Sequence, residues 1–428
     1  MHCLQRCLIV SLLTLCLISC SNANEGKAED SESSVEAETP SSSDIETEAP
    51  TQGVVVEATE ERDVILVGVI IDEENIMSSY DRQPGVAFVG MIEEYNRQGG
   101  LLGKKIEVLR ENGESRLSVI NGAAEKLIKS GVQLLVVTCE LDFAVPAIKQ
   151  AKEAEILLIS PCASEEDWGL GEVDTLAFSM VTRPKVYGAQ LADHLWGEGN
   201  RTAAIFWDDT VPETIQECIA FRDRWGNLGG RSTVESAVNM VTAPSVIGPA
   251  DRLGSLDVDV ITVCATNRVG VLTLQLIRGA GWLTPIVAGP SLDSASFFTS
   301  DIPNLGDFRM VSFASTEGDD PYVGVNQAAV NFQNIDGIPP ASGRFILGAD
   351  LAELWFQAVN FAGTADSRIV AETIKSFGSF TVPSGLIEFE GTQAVTKRTL
   401  RMLRNVGGYM VFESLIQELN QLVQLIVF

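Results

Sequence analysis

His2 and His194 are the only histidines in 428 residues. Imidazole base catalysis and a histidine-rich metal site therefore have almost no material to work with. Carboxylates are abundant instead: 58 Asp and Glu face 30 Lys and Arg, a formal charge of −28. That balance disfavours nucleic acid, whose binders neutralise phosphates with basic side chains. The stretch GGLLGKK (99–105) looks like a phosphate-binding loop but fails the pattern. Gln98 stands where the first glycine belongs, and Lys105 where the metal-binding hydroxyl belongs. No G-x-G-x-x-G opens a helix after the first strand, and no G-x-S-x-G elbow occurs. Neither an enzyme nor a cofactor nor a metal is expected. Cys139, Cys162, Cys218 and Cys264 fit no zinc spacing. Cys139 and Cys162 each end an apolar run, so they are either a disulfide or two small buried side chains.

The elements that would position such residues alternate. Residues 64–71 (VILVGVII) form a continuous apolar run, the pattern of a strand covered on both faces. Phe88, Ile92 and Tyr95 recur at helical spacing, and Gly99 and Gly100 end that helix. A short strand over 105–109, a helix through Val119, Ala123 and Leu127, and buried strands over 132–137 and 156–159 follow. After Thr182 the alternation restarts, with strands over 203–207, 258–263 and 285–288 and helices over 213–225 and 269–279. Two such runs predict two parallel sheets wrapped by helices, an α/β architecture. An apolar helix over 344–362, a smaller one over 369–377 and strands over 385–390 and 399–403 close the body. Residues 414–428 read as a separate amphipathic tail that packs as a helix.

The N-terminus reads as an address. Residues 1–20 carry Arg6 and a short apolar core, too short to span a bilayer comfortably. The ending Leu17-Ile18-Ser19-Cys20 resembles the lipobox of bacterial lipoproteins, which implies lipidation of Cys20. The alternative is an ordinary signal peptide with a chance cysteine. Residues 21–62 are rich in Ser, Glu, Thr and Ala, so they read as a disordered acidic tether with a reach of about 35 Å. Together these predict an extracytoplasmic protein anchored to a membrane, in the periplasm or at the cell surface.

Four segments carry a family resemblance. YNRQGGLLGKKIEV (95–108), ILLISPCAS (156–164), FWDD (206–209) and GAGWLTPIVAGP (279–290) occur in order. They are similar to segments of the type I periplasmic binding proteins, in the branch that binds leucine, isoleucine, valine and amides. The resemblance covers residues 64–412. It implies two Rossmann-like lobes joined by a three-strand hinge, residues 63–181 with 317–381 and residues 182–316 with 382–413. Crossings would fall near Thr182, Thr316 and Val382. It also implies a solute-binding receptor of an ABC importer, with a membrane permease as partner and a small amino acid-like or amide-like ligand. A tethered sensor of the same fold, signalling through a membrane receptor, is the alternative.

In such a fold, ligands sit beyond the carboxyl ends of the strands. The candidates there are Ser79 and Tyr80, Asp142 and Phe143, Cys162 to Ser164, Asp208, Thr266, Ser291 and Asp293. By the resemblance, Ser164 is the hydroxyl that holds an amino acid carboxylate, and Cys162 contributes backbone beside Ala163. The alternative for Ser164 is a loop residue that caps residues 165–168. Asp142 falls near a carboxylate-binding serine of the family, where an acid would repel an anion. It either caps the next helix or contacts the ligand. Phe143 lines the pocket or packs in the core. Thr210 and Glu213 form a capping box by pattern. With Asp142, Asp208 and Asp293 near one cleft, a cationic compound or amino acid derivative is as consistent as a branched-chain amino acid.

Overall fold

The computed structural model describes residues 63–169, 176–247 and 258–416. Residues 1–62, with the expected signal, Cys20 and tether, and residues 417–428, with most of the expected tail, lie outside them. The first run is β1 (Val64–Ile71), α1 (Ser78–Arg97), β2 (Lys105–Asn112), α2 (Leu117–Ser130), β3 (Leu134–Val137), α3 (Leu141–Glu153), β4 (Leu157–Ser160) and β5 (Ala177–Thr182). The second is α4 (Pro184–Gly197), β6 (Thr202–Asp208), α5 (Pro212–Asn227), β7 (Arg231–Val238), α6 (Ala243–Ile247), β8 (Val260–Cys264), α7 (Asn267–Gly279), β9 (Ile286–Ala288) and β10 (Phe308–Ser312). The remainder is α8 (Val323–Asp336), α9 (Phe345–Ala362), α10 (Ser367–Phe377), β11 (Ser379–Val382), β12 (Gly385–Glu388), β13 (Ala394–Val395), β14 (Lys397–Arg398), β15 (Leu400–Val406) and β16 (Tyr409–Ile416).

Two sheets organise these elements into two lobes. The first has the order β2-β1-β3-β4-β5-β13, with every pairing parallel. Its strands alternate between two apolar faces. Val67, Val69, Leu134 and Val136 pack against α1, α9 and α10, while Ile70, Leu135 and Val137 pack against α2 and α3. The second sheet has the order β7-β6-β8-β9-β10-β15-β16. Its first five strands are parallel; β15 and β16 run antiparallel. Gly407 and Gly408 form the two-residue β15–β16 turn, both at positive φ (61° and 98°), which side-chain-bearing residues rarely adopt.

The structure departs from the expected elements at two boundaries and one strand. The third crossing lies between Val395 and Leu400 rather than near Val382, because β13 adds to the first sheet beside β5. Residues 382–395 therefore side with the first lobe. Residues 414–416 complete β16 instead of starting a helical tail. β7, with half-buried alternation, was not among the expected strands.

Buried ion pairs stitch the crossings together. Arg398 donates to Asp350 at 2.6 Å and to the Met180 carbonyl at 2.9 Å, beside the first crossing. Arg401 donates to Asp320 at 3.0 Å, beside the second, and to the Ser384 carbonyl at 3.0 Å. Ser384 Oγ donates to Asp350 at 2.6 Å and accepts from Arg398 at 2.9 Å. Buried charges persist only when paired and hydrogen-bonded in this way.

Candidate functional site

Strand order reverses at β1/β3 in the first sheet and at β6/β8 in the second. At such points adjacent loops part to opposite faces and leave a crevice. The loops that leave these four strands line one cavity of about 360 Å³. Ile76, Met77, Ser79 and Tyr80 follow β1, and Cys139 and Glu140 follow β3. Val211 and Glu213 follow β6, and Thr266, Asn267 and Arg268 follow β8. Cys162 after β4, Ser296 after β9 and Arg344 before α9 complete the lining. The cavity thus lies between the lobes. They also meet where the Ala295 N–H donates to the Ser79 carbonyl at 3.1 Å.

Of the residues expected at the site, Ser79, Tyr80, Cys162 and Thr266 line this cavity. The others do not, and most have internal work. Asp208 is buried at the end of β6; it accepts from Thr210 Oγ1 at 2.5 Å and from Thr266 Oγ1 at 2.7 Å. Thr210 therefore turns back on Asp208 rather than closing a capping box, and the N-cap of α5 is Val211. Glu213, released from that role, faces the cavity. Ser291 donates to Glu217 at 2.5 Å, and Asp293 accepts from Ser312 at 2.6 Å; all are buried. Asp142 is exposed in the first turn of α3 and caps nothing. The N–H of Leu141 donates to Glu165 instead, at 2.7 Å. Phe143 is half-buried in the core packing. Ala163 and Ser164 are buried behind the cavity wall.

Cys139 and Cys162 form a disulfide, which joins the ends of the adjacent strands β3 and β4 at the cavity wall. A second disulfide, Cys218–Cys264, ties α5 to the end of β8 in the core. Sequence spacing gave no signal for that pair.

Electrostatics divide the wall. Glu140 is raised above the ordinary range by burial, with Glu213 and Asp142 adding repulsion. Burial also pushes Glu165, behind it, up to about 8. Tyr80 is raised to about 12 by burial, against the pull of Arg344. Burial works against the charge of Arg344, yet Glu213 and its other neighbours more than restore it. Glu213 accepts from the Tyr187 hydroxyl at 2.8 Å and lies 3.6 Å from Arg344. Glu140, Glu213, Arg268 and Arg344 thus put two acids and two cations around one small space. Arg344 went unnoticed in the sequence; its only signal was a lone cation opening a strongly apolar helix.

The sequence profile of the family described as "Periplasmic binding protein" matches residues 64–408. No curated protein sequence matches the chain. Solved structures share the fold. A branched-chain amino acid transporter substrate-binding protein from Streptococcus pneumoniae, in complex with isoleucine, is 18% identical with a TM-score of 0.69, covering 82% of this chain and 98% of that one. A putative branched-chain amino acid ABC transporter from Rhodospirillum rubrum is 17% identical with a TM-score of 0.68, covering 82% and 100%. A solute-binding protein from R. palustris, in complex with benzoate, is 18% identical with a TM-score of 0.64, covering 82% and 96%.

Proposed function

The chain belongs to the periplasmic binding protein family, and on that premise we propose that it is the extracytoplasmic solute receptor of an ABC importer. It takes a small amino acid-like, amide-like or aromatic acid solute between its lobes and delivers it to a membrane permease. The observation that carries this reading is the cavity at the two facing switch points, lined from both lobes. Its size suits one small solute. The similar structures from S. pneumoniae and R. palustris, described with isoleucine and with benzoate, support that range of ligands.

The mechanism is population shift. An open form takes the solute against one lobe, and closure adds the contacts of the other lobe. The solute stabilises closure only by its extra affinity for the closed form. Nothing covalent happens: the wall offers carboxylates, guanidinium groups, hydroxyls and a disulfide, and the solute leaves as it entered. Cys20 serves as the lipid anchor and residues 21–62 as the leash. Residues 63–181 and 317–395 act as one jaw, and residues 182–316 with 400–416 as the other.

A thermal-shift screen of amino acids, amides, polyamines and aromatic acids tests the reading. Binding stabilises the fold by about 2.7 kcal/mol at 100 times the dissociation constant, so a true ligand raises the melting temperature measurably. A broad panel that leaves it unmoved would count against the receptor role.

A further inference from the structure

This inference rests on the receptor reading and adds where the solute's charge goes. We propose that Arg344 is the anion anchor of the cleft, so that the solute is a carboxylate seated beside the start of α9 and not at the turn after β4. Arg344 is only 3% exposed, yet it lines the cavity. Its Nε donates to the Asp293 carbonyl and one Nη to the Pro290 carbonyl, both at 2.8 Å. Those two bonds fix the plane of the guanidinium. The other nitrogen, Nη1, makes no hydrogen bond to a described residue. A guanidinium cannot shed its charge by losing a proton, and its fork suits a carboxylate. Glu213, at 3.6 Å, compensates the charge without a hydrogen bond. The geometry leaves the two N–H groups of Nη1 for a second anion.

The alternative seat is closed. Ser164 is buried behind the wall, and the sulfur of Cys162 is bonded to Cys139. Glu140 stands on that wall and repels an anion. On the other side, Arg268 stands at the start of α7. The Thr266 hydroxyl is committed to Asp208, so no side chain caps that helix. The positive end of its dipole favours negative charge. The Tyr80 ring, 5.1 Å from the Arg344 guanidinium carbon, and the disulfide give the solute's body an apolar face to lie on.

The test compares acids with their amides: benzoate with benzamide, and L-leucine with L-leucinamide. Calorimetric titration is run on the wild-type protein and on Arg344→Gln, Arg344→Lys and Glu213→Gln. At least one acid should bind ~30-fold more tightly than its amide. Arg344→Gln should erase that preference, and Arg344→Lys should keep part of it. Glu213→Gln removes a competing acid from the wall and should tighten benzoate ~5-fold while leaving benzamide unchanged. Amides that bind as well as their acids in both pairs overturn the proposal, as does unchanged affinity in a folded Arg344→Gln protein. Should that variant not fold, benzoate affinity that fails to rise in Glu213→Gln decides against it. If neither acid binds the wild type, the anchor assignment is wrong. The receptor reading survives that result when a polyamine or amide raises the melting temperature, and falls with it when nothing does.

Discussion

Glu217 lets one assignment be tested by pH alone. The side chain is buried on α5, with Oε2 accepting from Ser291 and Oε1 lying against Gly289, where an added Cβ would meet it at 1.3 Å. Burial pushes the carboxyl from its ordinary 4.5 up to about 8. Between those values the folded protein holds a proton that the unfolded chain has released. The unfolded state then binds fewer protons, so stability falls as pH rises through that window. The contribution is fully present below pH ~4.5 and gone above pH ~8, a loss of up to about 5 kcal/mol at 1.36 kcal/mol per pH unit. Glu217→Gln keeps the shape and the acceptor for Ser291 but cannot ionise. The assay is urea denaturation of both proteins from pH 5 to pH 9. Burial likewise raises Asp81 to about 7 and Glu165 to about 8. Those groups titrate in both proteins and cancel in the difference. The variant should match wild type at pH 5 and exceed it by several kcal/mol at pH 9. Parallel curves would refute the desolvation argument and free Ser291 for another role.

Other perturbations probe the frame. Asp350→Ala or Arg398→Met leaves a buried charge alone and should cost ~3–5 kcal/mol in urea melts, while the double variant should lose less than the sum. Replacing Cys139 and Cys162 by alanine, 23 residues apart, should cost about 3 kcal/mol by the chain-entropy argument. The Cys218–Cys264 pair, 46 apart, should cost about 4 kcal/mol in the same assay. Gly348→Ala puts a Cβ 1.8 Å from the Pro84 carbonyl oxygen where α9 crosses α1. It should lower the thermal midpoint by several degrees, whereas Gly122→Ala in α2, with nothing within 4 Å, should be neutral or stabilising by up to ~1 kcal/mol.

What the sequence made legible follows from burial. β1 could be read to the residue, because a strand covered on both faces shows an unbroken apolar run. β7 was missed because RSTVESAV sits half-buried at a sheet edge. The third crossing was misplaced because β11 to β14 are only two to four residues long, below the length at which periodicity speaks. At the site, Ser79, Tyr80, Cys162 and Thr266 were accessible from topology alone, since strand ends and switch points locate them. Asp208, Ser291 and Asp293 lie off the cavity lining, because strand-end polar residues are also the ones that tie neighbouring loops together. Arg344 was out of reach: it enters the cleft from another part of the chain, 51 residues beyond the Asp293 carbonyl that holds it.

The central claim is that a solute is held between two jaws and released intact. Equilibrium dialysis against a hit from the screen, followed by denaturation and mass analysis of what comes off, addresses it most directly. The account predicts one equivalent of unaltered solute per chain at saturation, falling away when Tyr80 or Thr266 is replaced. Recovery of a converted product, or occupancy indifferent to both replacements, would contradict it.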